Sequence, residues 1–237
     1  MDASHLHKRA EGNDWAYEAS YNWGKVNPLY GKCQNGTQQS PVPLEVTQGF
    51  SLEHIPTFNY TKTAGEILNW GYGPAFVPRD AELNTLSFDN ETVYLAGWHV
   101  HSPADHSVSG KRAKAELHLV HKNAAGKERA VVAIRIDPST RPSTFFTMLG
   151  NVFPGFEDRT RSNATVDLSQ LISEVDRLSN FWTYKGSLTS PPCTEGLRWF
   201  VARDILFTDN VQMQRILTAS TFSARAEQEV WMHQINA

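Results

Sequence analysis

At 237 residues, with 40% hydrophobic and 20% charged residues, the chain has material for one well-buried core and too little for two independent enzymatic domains. A formal charge of −3 at pH 7, an isoelectric point near 6.3 and the lack of any Lys/Arg-rich run give no basic field for a phosphate backbone, so nucleic acid is not an expected partner. No apolar run approaches the roughly 18 to 20 residues that a membrane-spanning helix needs.

Residues 1–13 lack apolar periodicity and read as a disordered tail, followed by one domain over 14–237. The segments EILNWGY at 66–72, ETVYLAGWHVH at 91–101, AELHLVHK at 115–122 and ERAVVAIRI at 128–136 alternate as strands do, and the last is apolar enough to be buried at a sheet centre. Short helical patterns follow in STFFTMLG at 143–150 and DLSQLISEVDRL at 167–178, then a strand pattern in GLRWFVAR at 196–203 and a helical one in DNVQMQRIL at 209–217. Ser40-Pro41-Val42-Pro43 and Ser190-Pro191-Pro192 read as rigid loops, because proline has a fixed φ and no N–H to give a sheet interior. With no repeat and no low-complexity linker, the expectation is one mainly β domain decorated by short helices.

The first residues have no apolar centre of a secretory signal, which leaves an intracellular protein or a secreted one whose leader is absent. Asn-X-Thr glycosylation candidates at Asn35, Asn59, Asn90 and Asn163 favour the secreted alternative. Cys33 and Cys193 suit either a single disulfide or two inert buried thiols.

Five of the nine histidines fall between Gly97 and His121. Residues two apart in a strand share a face, so His99 and His101 present two imidazoles side by side. AELHLVHK repeats the device with Glu116 and His118, and antiparallel pairing brings His118 within reach of a metal held by the first two. Three histidines with an open fourth position describe a catalytic zinc site, and two cysteines are too few for a closed structural one. Glu116 offers a carboxylate to orient a ligand imidazole through its second nitrogen. His106 and His121, in a loop or of the wrong parity, read as hydrogen-bonding or structural, while His5, His7, His54 and His233 lie in tail-like or surface-like contexts. A cupin is the competing metalloenzyme, since His99-Val100-His101 with Asp105 imitates its motif, but the chain has no later Pro-x-Gly-x-x-His segment.

Taken in order, Gln39-Ser40-Pro41, Trp98-His99-Val100-His101, AELHLVH at 115–121 and WTYKGSLTSPPC at 182–193 resemble the α-class carbonic anhydrases, a likeness running from Trp15 to about Arg225. The resemblance implies a large twisted, mostly antiparallel central sheet with a conical cavity, Zn2+ at its base, and reversible hydration of carbon dioxide to bicarbonate by zinc-hydroxide attack. It implies His99, His101 and His118 as zinc ligands and Glu116 as the residue behind them. Thr189 would accept a hydrogen bond from zinc hydroxide and donate one onward to Asp105, which stands where the family has glutamate. Val120, Val131, Leu188, Leu197 and Trp199, which would otherwise read as core, become the apolar wall for CO2. A Cys33–Cys193 disulfide, as in secreted relatives, would brace the loop holding Thr189. A non-catalytic binding module on the same fold is the alternative, although such proteins usually lose a zinc histidine; a monomer and a homodimer both stay open.

Two positions depart from the family. Tyr72 occupies the place of the usual histidine proton shuttle in the proton-transfer region, and a tyrosine pKa of about 10 is poorly matched to a donor near 7. Gly97 stands where an amide side chain often orients the ligand corresponding to His99.

Overall fold

The computed structural model describes residues 15–150 and 152–237; the tail expected over 1–13, with His5 and His7, lies outside the described residues. Along the chain come β1 (Thr57–Asn59), β2 (Lys62–Asn69), β3 (Pro74–Pro78), β4 (Thr85–Phe88), β5 (Glu91–His101), β6 (Ser107–Val108), β7 (Lys111–Arg112), β8 (Ala115–Lys122), β9 (Glu128–Pro138), β10 (Ser162–Asp167), β11 (Phe181–Ser187), β12 (Glu195–Ala202) and β13 (Leu206–Thr208). The helices are short: α1 (Trp23–Val26), α2 (Lys32–Asn35), α3 (Thr144–Leu149), α4 (Leu168–Ser173) and α5 (Asn210–Thr218).

One large sheet runs in the order β10-β2-β3-β5-β8-β9-β12-β11, with β4 also on β5 and β13 also on β9. Its pairings are antiparallel except for two: β12 and β13 both run parallel to β9. The sheet is therefore mostly antiparallel, as expected, with its parallel pairings confined to β9.

The period of two divides these strands between two interiors. Trp98, Val100, Leu117, Leu119, Val132, Ile134 and Phe200 face the main core, where Phe145, Phe146, Leu168, Leu171, Ile172, Met213 and Ile216 cover them from α3, α4 and α5. Burying a large apolar side chain contributes about 1.5 to 3 kcal/mol, so this layer supplies much of the drive to fold. The alternate residues face the opposite side, where two smaller apolar clusters flank the histidines.

Local signals explain most element ends. Ser143 starts α3 by accepting from the Phe146 N–H at 3.2 Å, and Asp209 starts α5 through a reciprocal capping box with Gln212. The strand expected over 66–72 instead begins at Lys62 and stops at Asn69. There Asn69 Oδ1 accepts from Gly71 N at 2.8 Å, Gly71 takes φ +85°, and Trp70 N donates to Gly73 O, so Trp70 to Tyr72 form a turn. The helix expected over 167–178 ends at Ser173, because Asp176, Arg177 and Leu178 adopt left-handed φ of 48° to 53°.

Cys33 and Cys193 form a disulfide across 160 residues of sequence, closing a loop whose entropic restriction amounts to about 4 to 5 kcal/mol before any strain. Asn35, Asn59, Asn90 and Asn163 are all exposed; Asn163 accepts from Arg79 Nη2 at 2.6 Å. His233, expected at the surface, is fully buried: its Nε2 meets the Gln39 carbonyl at 2.8 Å and its own carbonyl accepts from Lys185 N, so the C-terminal segment seals the edge of β11. His54 is half-buried and pairs with Asp89 at 2.5 Å.

His121 points into the main core side, 2.7 Å from the Tyr60 hydroxyl, and burial pushes its pKa down to about 3. It is neutral when folded and protonated when unfolded below about pH 6.5, so acid favours the unfolded chain. Below about pH 6, wild type should lose about 1.4 kcal/mol more per pH unit than His121→Gln, read by urea unfolding at pH 6 and pH 5.

Candidate metal centre

β5 supplies His99 and His101, and β8 supplies His118 directly across the ladder, since His99 and His118 are Cα partners. Their side chains all emerge on the face away from the main core, 5%, 1% and 1% exposed. One ring nitrogen from each lies within 4.8 Å of the others, and His99 Nε2 stands 3.0 Å from His101 Nε2.

Two of the outward nitrogens are held by hydrogen bonds. His101 Nδ1 donates to the Ser223 carbonyl at 2.7 Å, and His118 Nε2 donates to Glu116 Oε1 at 2.6 Å. Those bonds fix the tautomers, leaving lone pairs on His101 Nε2 and His118 Nδ1. Burial lowers the His101 pKa, which keeps the imidazole neutral and able to ligate.

Glu116 serves two rings. Oε1 also accepts from His106 Nδ1 at 2.6 Å and Oε2 from His106 N at 3.0 Å. Complete burial disfavours its charge, but His106 and His118 outweigh it and hold the carboxyl well below the usual carboxylate range. His106 Nε2 continues to the Tyr184 hydroxyl at 2.8 Å, which lies 3.1 Å from Ser40 Oγ. Ser40 in turn exchanges hydrogen bonds with Ser187, accepting from its N–H at 3.0 Å and donating its own N–H to Ser187 Oγ at 2.9 Å. His106 is thus a hydrogen-bonding histidine, as its position suggested.

Thr189 is 5% exposed on the loop after β11. That loop is fastened by Leu188 N to Thr194 O, by Gln39 Nε2 to Cys193 O at 3.1 Å, and by Arg225 Nη1 to Leu188 O at 3.4 Å. Asp105 is fully buried; its Oδ1 accepts from Arg225 N at 2.7 Å, while Oδ2 makes no hydrogen bond and lies 3.6 Å from His101 Nε2. The expected Thr189–Asp105 hydrogen bond is therefore not made, consistent with a side chain one methylene shorter than glutamate.

Val131, Leu188, Leu197 and Trp199 pack together on the site face, and Val120, opposite both Gly97 and Val131, belongs to the same row. Trp199 stands 4.9 Å from the His118 ring. Across the histidines, Trp70 lies 5.0 Å from His99, and Tyr72 stacks on His101 at 5.7 Å and 18°. Gly97 has no room for a side chain, because a Cβ would run into the Phe76 carbonyl of the neighbouring strand; no amide can stand there.

The profile of eukaryotic-type carbonic anhydrase matches residues 18–236. A carbonic anhydrase of Klebsiella pneumoniae is 31% identical over 205 residues, 85% of this chain and 81% of its own. The α-carbonic anhydrase of Photobacterium profundum superposes with a TM-score of 0.81 at 26% identity, covering 95% of this chain and 99% of that one. That of Thermovibrio ammonificans, solved with the inhibitor sulfanilamide, shares the fold at a TM-score of 0.83 and 24% identity, over 95% and 98% of the two chains.

The chain belongs to the α-class carbonic anhydrase family. It is a carbonate dehydratase, a lyase that hydrates CO2 reversibly to bicarbonate and a proton. The family implies a metal cofactor, and the three converging imidazoles are a donor set that fits one. Among the described residues, no helix is long and apolar enough to cross a membrane.

Several contributors to this carbonic anhydrase site escaped sequence reasoning. Ser40 lies in the Gln39-Ser40-Pro41 motif, which marked it without assigning a task. Tyr184 lies in the WTYKGSLTSPPC motif, which likewise assigned it no task, and Ser223 and Arg225 had no local signal, since their roles depend on contacts from distant chain segments. Because Glu116 orients His118 and His106 at once, Glu116→Gln should weaken metal affinity by about 10 to 100-fold, read by competition with a chromogenic chelator.

Proposed function

We propose that His99, His101 and His118 hold Zn2+ and leave one coordination position open for the hydration of CO2. The observation that carries this reading is the convergence of three buried imidazoles, of which His101 and His118 have their second ring nitrogens held by the Ser223 carbonyl and Glu116. When bound, zinc lowers the pKa of a coordinated water from about 15.7 to about 7, a depression known from carbonic anhydrase itself, and so supplies a hydroxide nucleophile at neutral pH.

The chain's own residues do the rest. Glu116, Ser223 and the β5–β8 ladder fix the imidazoles, so little reorganisation is needed when charge changes at the centre. Thr189 orients the nucleophile through its hydroxyl, while Asp105, held by Arg225 N and not by Thr189, keeps a buried Oδ2 3.6 Å from His101 Nε2. Val120, Val131, Leu188, Leu197 and Trp199 exclude water from the side on which apolar CO2 is received.

The exposed sequons at Asn35, Asn59, Asn90 and Asn163 and the Cys33–Cys193 disulfide support a secreted, oxidising environment and glycosylation. Light scattering distinguishes a monomer from a homodimer, and mass spectrometry of secreted material reads the glycans.

Stopped-flow CO2 hydration by the zinc-loaded protein should far exceed that of His101→Ala, with near one zinc per chain in the wild type and a loss of metal in the variant. A wild type that holds zinc but does not hydrate CO2 would favour the binding-module alternative. With Tyr72 in place of a histidine shuttle, turnover should also climb steeply as imidazole buffer is raised. Turnover independent of imidazole would show that another group carries the proton.

A further inference from the structure

We propose that Trp70 and Tyr72 are specificity-determining residues, an aromatic wall that admits slender ligands such as CO2 to the metal position and turns away ring-sized ones. This inference rests on the metal reading above. It starts from the two sides of the histidine triad. On one side Trp199 stands 4.9 Å from His118, backed by Leu188, Leu197 and Val131. On the other, Trp70 stands 5.0 Å from His99 and Tyr72 lies over His101 at 5.7 Å, nearly parallel to it. The triad is thus flanked by large rings at contact distance on both sides.

The hairpin-side wall is itself packed. Tyr17 meets Tyr72 edge-on at 5.5 Å and His101 at 5.8 Å, and Trp70 and Tyr72 are only 2% and 6% exposed. The neighbouring positions add no polar gap: Ala75, the Cα partner of His99, is fully buried, and Gly97 admits no side chain.

The wall is also held in place. Asn69 Nδ2 donates to the Ala219 carbonyl at 2.6 Å, Trp70 N donates to Gly73 O at 3.1 Å, and Tyr72 O accepts from Thr221 N at 2.9 Å. Gly73 lies so close to the Val100 carbonyl that a Cβ would collide with it. The turn is thereby pinned to β5 and to the segment after α5, and the rings cannot leave by a backbone swing. A ligand with its own aromatic ring must displace packed indole or phenol, whereas linear CO2 need not.

Two sulfonamides that share one zinc-binding headgroup and differ in girth, trifluoromethanesulfonamide and benzenesulfonamide, provide the test by calorimetric titration of the zinc-loaded protein. The ratio of benzenesulfonamide to trifluoromethanesulfonamide affinity should rise about tenfold or more in Trp70→Ala and in Tyr72→Ala, the scale on which a pocket discriminates by size. Trp70→Leu, which keeps an apolar side chain while removing the girth of the indole, should move the ratio in the same direction and covers an alanine variant that does not fold. A ratio within twofold of wild type in folded, zinc-loaded variants would overturn the wall while leaving the metal site intact. Absence of zinc, with neither sulfonamide bound, would instead overturn the metal reading and the wall with it.

Discussion

The pairing of β5 with β8, in which His99 stands opposite His118 and His101 opposite Glu116, is the constraint on which the rest of the site depends. Because side chains alternate strictly between faces, that one register delivers three imidazoles and their orienting carboxylate to one side. The same register sends Trp98, Val100, Leu117 and Leu119 to the other side, into the main core. A slip of one residue would bury the histidines among phenylalanines and turn the core residues toward the cavity. The histidine triad and the hydrophobic core are therefore specified by the same hydrogen-bond ladder, and neither can be misregistered alone.

Around that ladder the protein concentrates polar groups that are costly to bury, and it satisfies most of them in sequence. Glu116 stays charged because His106 and His118 face it, His106 reaches Tyr184, and Tyr184 adjoins the Ser40–Ser187 pair. Arg225 performs the same service from the far end of the chain. Its guanidinium donates to the carbonyls of Ser40, Leu188 and Cys33 and lies over Trp23, and burial lowers its pKa to about 10. One buried cation thereby ties the disulfide segment, the proline strap and the Thr189 loop together, while its own backbone N–H holds Asp105.

The apolar surfaces on both sides of the triad complement this polar spine. Trp199, Leu188 and Leu197 on one side and Trp70 and Tyr72 on the other leave the imidazoles as the main polar groups presented to an incoming molecule. Such a centre favours an apolar substrate.

By itself the sequence determined the elements whose signals are local. The limits of β5 and β8 were readable from alternation alone, as were the faces that carry the histidines, because a period of two needs no knowledge of the partner strand. The motifs through 182–193 determined the family, and with it the disulfide and Thr189. Tertiary structure alone decided the short edge strands, the burial of His233, and the contacts that Tyr184, Ser223, Arg225 and Trp70 make with the centre. It also decided that Asp105 bonds to Arg225 N and not to Thr189. The Ser223 and Arg225 contacts depend on which distant backbone group arrives beside a side chain, and hydrogen-bond partners separated by more than 100 residues leave no periodic trace in the intervening sequence.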